Sequence, residues 1–355
     1  MDSGEWEVGS GKWEVGSKSL APLHTSHSPL STIMNLRYRA ELLCRIRRFF
    51  EERHFVEVQT PILSADTIVD LHVEPIAVTD SSLPTTPHGN KTYYLRTSPE
   101  FAMKRLLAAG MNAIYEIGAA FRKGDRGQFH NVEFTMLEWY RVGDNYRSGM
   151  ELLAELIRCI GEKLPKIVYR SFQDVFQEYA NINPHGATAS ECQKIAVMNH
   201  LSYPDSWTQE LGKSRRADDW IDLLFSELVQ PHLESVIVYD FPATQSQLAR
   251  TRMIDGLENR VVSERFELFL NGIEIANGYH ELLDASELRH RFRENLQRRL
   301  EENRPLLPVE SRLLTAMESG LPASCGTALG IDRLCMVLLG ADSIDEVIPF
   351  PIESS

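Results

Sequence analysis

No apolar run in the sequence approaches the ~20 residues that a bilayer-spanning helix needs, which excludes a transmembrane helix. Cysteine is scarce: Cys44, Cys159, Cys192, Cys325 and Cys335 are an odd number and none shares a Cys-x-x-Cys spacing. Neither a disulfide framework nor a cysteine zinc site is expected from them. Positive charge is short too, with 37 Lys and Arg against 50 Asp and Glu for a formal net charge of −13. A protein of that balance could hold nucleic acid only through a local basic patch. The N-terminus is polar and glycine-rich, unlike a signal peptide, so a soluble, cytoplasmic protein with reduced thiols is expected. What remains is ordinary globular composition: 355 residues, 43% apolar and 25% charged, enough for one large core or two smaller ones.

Residues 1–30 contain a tandem repeat, Gly4–Ser10 and Gly11–Ser17, followed by a Ser, His and Pro mixture. Two copies are too few for a solenoid, so a disordered extension is expected; a docking motif built on Trp6 and Trp13 is the less favoured reading. From Leu36 the spacing becomes helical, with Leu36, Ala40, Leu43 and Phe50 on one face. An extended run, Phe55 to Thr60, follows and stops at Pro61. After a polar segment, Asp80 to Asn90, Ser98 suits an N-cap, Pro99 the first helical position and Glu100 the first turn of a helix reaching Ala109.

Residues 117–141 read as a long antiparallel hairpin: an apolar run ends at Phe121, a charged loop carries Gly124 and Gly127, and an aromatic-rich run resumes at Asn131. Side chains two apart share a face, so Phe134, Met136, Glu138 and Tyr140 point one way. A carboxylate among aromatic neighbours is costly without a partner, and this face therefore suits a pocket for an ammonium group. Beyond it, Arg147 to Leu164 reads as a helix carrying Leu152, Leu153, Leu156 and Ile160, and Val236 to Pro242 as a buried strand. Residues 170–235 show helices and loops without recognisable chemistry. Asn271-Gly272 between two apolar runs signals a hairpin with a type I′ turn.

On that hairpin's second strand Glu274 and Glu281 lie seven apart, which sends them to opposite faces of a regular strand. Only a bulge or kink near Gly278 would bring them to one site, where they would offer oxygen ligands for Mg²⁺. The plainer alternative is two solvated glutamates flanking a turn. Asp284 and Glu287 suit the start of a solvated, arginine-rich helix, Arg289 to Arg299, with Leu288, Phe292, Leu296 and Leu300 as its apolar face. Near the C-terminus, Gly326 to Leu334 combines glycines that admit close approach with Arg333 at a helix start.

Phe121-Arg122 followed by His130 to Glu138 closely resembles the second signature of class II aminoacyl-tRNA synthetases, in the lysyl branch. The helix, strand and Thr60-Pro61 resemble the first signature, and Gly326 to Leu334 the third. The resemblance implies an α/β (α+β) fold, an antiparallel sheet flanked by helices, with residues 31–355 forming the catalytic domain and the first signature a homodimer interface. It implies ATP held by Arg122 on the α-phosphate, with adenine between Phe134 and Arg333. Gly124, His130, Asn131, Glu274, Ile275 and Gly330 complete that side. Glu138 and Tyr140 are implied to hold a lysine-like side chain, with Ser98, Pro99, Glu100, Asn277, Tyr279, Glu281 and Ala328 around the rest of the amino acid. Glu274 and Glu281 are the implied Mg²⁺ ligands; Arg122, Arg333 and Glu281 are the implied catalytic residues.

Two departures stand out. Gly124 occupies the place of a glutamate that helps hold adenine in the family, leaving Asp125 or a shifted loop to compensate, and Val132 replaces a usual proline. Only about 35 residues precede the first signature, against the ~100 of an anticodon-binding domain. That layout, together with Glu138-Trp139-Tyr140-Arg141 and Ala328, resembles a paralogous branch that attaches (R)-β-lysine to a lysine side chain of elongation factor P. A truncated lysyl-tRNA synthetase, a free-standing asparagine synthetase of the same fold and a non-catalytic regulatory paralogue are the alternatives.

Overall fold

The computed structural model describes residues 29–161, 164–204, 207, 216–254 and 261–355. The tandem repeat and its two tryptophans lie outside the described residues.

A nine-stranded, mainly antiparallel sheet organises the molecule. Its strands are β1 (Val56–Glu57), β5 (Ala113–Phe121), β6 (Glu133–Val142), β7 (Val168–Ser171), β8 (Ser235–Pro242), β9 (Thr251–Met253), β10 (Val261–Leu270), β11 (Ile273–His280) and β12 (Ser324–Gly330). They run in the order β1-β5-β6-β12-β11-β10-β8-β7, with β9 added on β10. A smaller sheet of β2 (Leu63–Ser64), β3 (Ile76–Thr79) and β4 (Thr92–Leu95) stands apart from it.

Helices cover both faces, so the central strands are largely buried on both sides. Against one face pack α1 (Pro29–Glu51) and α3 (Tyr146–Ile160), burying Phe50, Leu153 and Leu156 with Leu137 and Trp139 of β6. On the other face lie α2 (Glu100–Ala108), α7 (Ala285–Glu301) and α8 (Arg312–Gly320), which form a second core around Met103, Leu288, Leu313 and Tyr140. Between α3 and α7 the chain forms α4 (Phe172–Tyr179), α5 (Ala189–Met198) and α6 (Ala217–Leu224), with their own aromatic cluster of Phe172, Phe176 and Trp220. The last helix, α9 (Ile331–Leu339), follows β12 directly.

The expected hairpins form. Asn271 and Gly272 both take positive φ, 51° and 74°, as a type I′ turn requires. Other expectations shift. The buried stripe of α1 is Leu42, Ile46, Phe49 and Phe50, and Ala40 is exposed. The run from Phe55 to Thr60 contributes only two residues, Val56–Glu57, paired parallel to β5. Helix α7 is less solvated than its composition suggests: Leu300 is 48% exposed, whereas Arg299 is fully buried. The Arg299 fork donates to the carbonyls of Pro305 and Asp70 and to Glu74, which satisfies the charge it carries inward. Ser98 accepts from the amide of Glu100, yet the residue that caps α2 is Pro99.

Candidate active site

The sheet face on which α2 begins carries a cleft of about 290 Å³. Register builds its floor. One row across the sheet aligns Glu138, Ala328, Asn277 and Glu267; the next aligns Tyr140, Gly326, Tyr279 and Arg265. Ala328 and Gly326 hollow out the middle of these rows. A Cβ at Gly326 would collide with the Tyr140 ring and with Glu281 Oε1, so only glycine leaves room there.

A bulge that puts Glu274 on the cleft face along with Glu281 exists, at Ile275 rather than near Gly278. Leu268 pairs with Ala276 but Phe269 with Glu274, which leaves Ile275 as the extra residue and reverses the face of everything before it. Gly278 serves packing instead: a Cβ there would strike the Phe266 ring.

At one end of the cleft three buried carboxylates converge. Glu100, Glu138 and Glu281 are 8%, 2% and 1% exposed. One ammonium lies between two of them: Lys104 Nζ is 2.6 Å from Glu100 Oε1 and 2.5 Å from Glu281 Oε2. Glu138 Oε1 accepts the Tyr140 hydroxyl at 2.5 Å, while its Oε2 is buried without a hydrogen-bond partner. Burial, then the neighbouring Glu100 charge, pushes the Glu138 carboxyl up to about 8; burial pushes Glu281 up to about 7 against the pull of Lys104. One more buried cation would satisfy this end.

The other end is cationic and aromatic. The Arg122 guanidinium stands 5.2 Å from the centre of the Phe134 ring, and its Nε is buried without a partner. Arg333, at the start of α9, donates from Nε to the Phe129 carbonyl and from Nη1 to that of Glu274, and also touches His130. Burial, then the charge of Arg333, lowers the His130 pKa. Asn131 spends both ends of its amide on backbone, donating to Glu133 and accepting from Ile352, so it anchors the C-terminal segment beside the cleft.

Sixteen of the residues expected at the site line this cleft: Ser98, Glu100, Arg122, His130, Asn131, Phe134, Glu138, Tyr140, Glu274, Ile275, Asn277, Tyr279, Glu281, Ala328, Gly330 and Arg333. Two do not. Pro99 is committed to the helix start, and Gly124 turns the loop at φ 84° while its neighbour Asp125 faces the cleft. Sequence reasoning missed Lys104, although its position four residues after Glu100 on one helix was the available signal. It also missed the Arg265–Glu267 pair, whose two-residue spacing on β10 puts both on the cleft face. Among the described residues no three His, Cys, Asp or Glu side chains gather into a metal cluster. Glu274 nevertheless offers a carboxylate that is 40% exposed, and Glu281 a buried one on the same face; such oxygen donors suit a hard cation that also takes ligands from phosphates.

The family model for class II tRNA synthetases (D, K and N) matches residues 25–354, and the chain belongs to that family. Within it, the chain is 39% identical over 336 residues to the elongation factor P--(R)-beta-lysine ligase of Haemophilus influenzae (strain PittGG), covering 92% of this chain and 98% of that protein. The proteins of the same name from Pasteurella multocida (strain Pm70) and Proteus mirabilis (strain HI4320) are each 40% identical, over 335 and 332 residues. They cover 92% and 91% of this chain, and 98% and 97% of their own lengths.

Proposed function

We propose that this enzyme activates (R)-β-lysine with ATP and transfers it to a lysine side chain of elongation factor P. The observation that carries the reading is the unpartnered Glu138 oxygen in a cage of three buried carboxylates, at the closed end of a cleft whose other end is cationic and aromatic. A buried anion of this kind is stable only when a cation completes it. A diamino acid supplies two ammonium groups and leaves its carboxylate free to point towards the nucleotide. Near-full-length identity to ligases named for this reaction supports the particular substrate pair.

The chemistry is a displacement at phosphorus followed by acyl transfer. The amino-acid carboxylate oxygen bonds to the α-phosphorus of ATP, and the bond to the diphosphate oxygen breaks. Arg122 lies where it can neutralise charge developing on the phosphoryl oxygens, and Arg333 and Phe134 border the base. Glu138 and Tyr140 hold the side-chain amine, while Glu100 and Glu281, with Lys104 between them, border the second amine. The target lysine amine then bonds to the carbonyl carbon of the mixed anhydride and AMP leaves with its bonding electrons. No enzyme nucleophile is needed, so positioning and charge stabilisation carry the rate. Glu274 and Glu281 would hold Mg²⁺, which supplies neutralisation of the phosphate charge when bound. A homodimer in the cytoplasm, with α1 at the subunit interface, completes the proposal.

ATP–diphosphate exchange with β-lysine, α-lysine, aspartate or no amino acid tests it. Exchange driven best by β-lysine, followed by label transfer to elongation factor P, is the expected result. Preference for α-lysine with tRNA charging, preference for aspartate, or no exchange at all would each overturn it in favour of a lysyl-tRNA synthetase, an asparagine synthetase or a regulator.

A further inference from the structure

The three signature segments meet at a buried ion pair whose acid, Asp332, borders the cleft and whose base, Arg39, lies behind it. Arg39 on α1 places Nη1 2.5 Å from Asp332 Oδ1 and donates from Nη2 to Thr135 Oγ1 at 2.7 Å. The amide of Thr135 donates to the second oxygen of the same carboxylate, Asp332 Oδ2, at 2.7 Å. Asp332 is 2% exposed and the Arg39 side chain 12%. Both carboxylate oxygens of Asp332 and both terminal nitrogens of Arg39 are engaged, and each member of the triangle comes from a different segment.

Its neighbours in sequence give it a consequence. Thr135 directly follows Phe134 on β6, and Asp332 directly precedes Arg333 on α9. Arg39 does not line the cleft. We infer that Arg39 is a positioning residue that sets the separation of Phe134 and Arg333, and with it the width of the slot between them. The inference rests on the nucleotide site proposed above. A planar guanidinium that engages a carboxylate and a hydroxyl together has little freedom to change their spacing, whereas an ammonium is a point charge that does not. Contact with a flat ring is sensitive to that spacing: a radial gap of 0.5–1 Å forfeits roughly a quarter to a half of the dispersion attraction.

The test separates nucleotide affinity from everything else. Calorimetric titration of the full chain with ATP alone is expected to show Arg39→Lys weakening ATP binding about tenfold, and Thr135→Val, which removes only the hydroxyl link, about threefold. KM for the amino acid in the exchange assay should stay within about twofold of wild type in both. The double variant should be no weaker than Arg39→Lys alone, because both changes break one triangle. Should Arg39→Lys fail to fold, Thr135→Val carries the test. Unchanged ATP affinity in both variants overturns the inference, as does a parallel loss of ATP affinity, amino-acid affinity and melting temperature. A wild-type chain that binds no ATP overturns the nucleotide site itself, which distinguishes that failure from the failure of Arg39.

Discussion

The two ends of the cleft are built on opposite principles. At the end proposed for the nucleotide, Arg333 is held by two carbonyls and the residues flanking Phe134 and Arg333 are locked through Asp332, while Arg122 keeps a buried Nε without a partner. At the amino-acid end the groups are buried but incompletely satisfied, with three carboxylates sharing one lysine. The first arrangement fixes geometry before the ligand arrives, which suits a charge that develops only in the transition state. The second stores a deficit that only a cationic ligand removes, which suits discrimination among ground-state ligands. On the proposed function, rate and selectivity are divided between the halves of one sheet face.

That division can be broken from either side. The largest effect is expected at the nucleotide end: Arg122→Ala should lower exchange by about a thousandfold with the fold intact by circular dichroism, because a preorganised cation is lost where charge develops. Wild-type exchange in this variant would remove Arg122 from the chemistry. At the amino-acid end, Glu138→Gln should raise the amino-acid KM by about a hundredfold while leaving ATP affinity alone, since a charge partner is replaced by a neutral amide of the same shape. A rise in the ATP constant instead would show that the ends are not independent.

Protonation sharpens the contrast further. The carboxyl of Glu138 sits at about 8 in the folded chain against 4.5 when unfolded, so the folded state binds the extra proton between those values. Its contribution to stability is therefore fully present below about pH 4.5 and is lost as pH rises through about 8. The melting temperature of the ligand-free chain should fall by several degrees over that window, while affinity for a diamino acid should rise about fivefold from pH 7 to 8 as the carboxylate ionises. Saturating lysine should flatten the melting curve's pH dependence; an unchanged slope would sink the cage as the amine site. The smallest effect is expected at the loop. Asp125→Ala should raise the ATP KM by about two- to fivefold if that carboxylate serves in place of the side chain absent at Gly124, and no change would leave that place empty of function.

Much of this was legible in order along the chain. Strand alternation placed Phe134, Met136, Glu138 and Tyr140 on one face and Asn271-Gly272 announced its turn, because local periodicity and turn chemistry depend on neighbours in sequence, while the family came from the resemblance of the three signatures. Within α1, Phe50 and Leu43 were placed inward as read, whereas Ala40 was not, because only packing against β6 selects among neighbouring helical spacings. Arg299 read as solvated for a related reason: a buried arginine looks like an exposed one until the carbonyls and carboxylate that receive it are in place.

The sequence by itself determined the fold family, the strands that carry the cleft and most of the side chains that face it. Tertiary structure alone decided where the bulge falls, which carboxylates share Lys104, and that Arg39, Thr135 and Asp332 meet although up to 293 positions separate them. Periodicity is a property of adjacent residues, whereas charge balance and hydrogen-bond closure depend on partners that chain folding alone brings within reach.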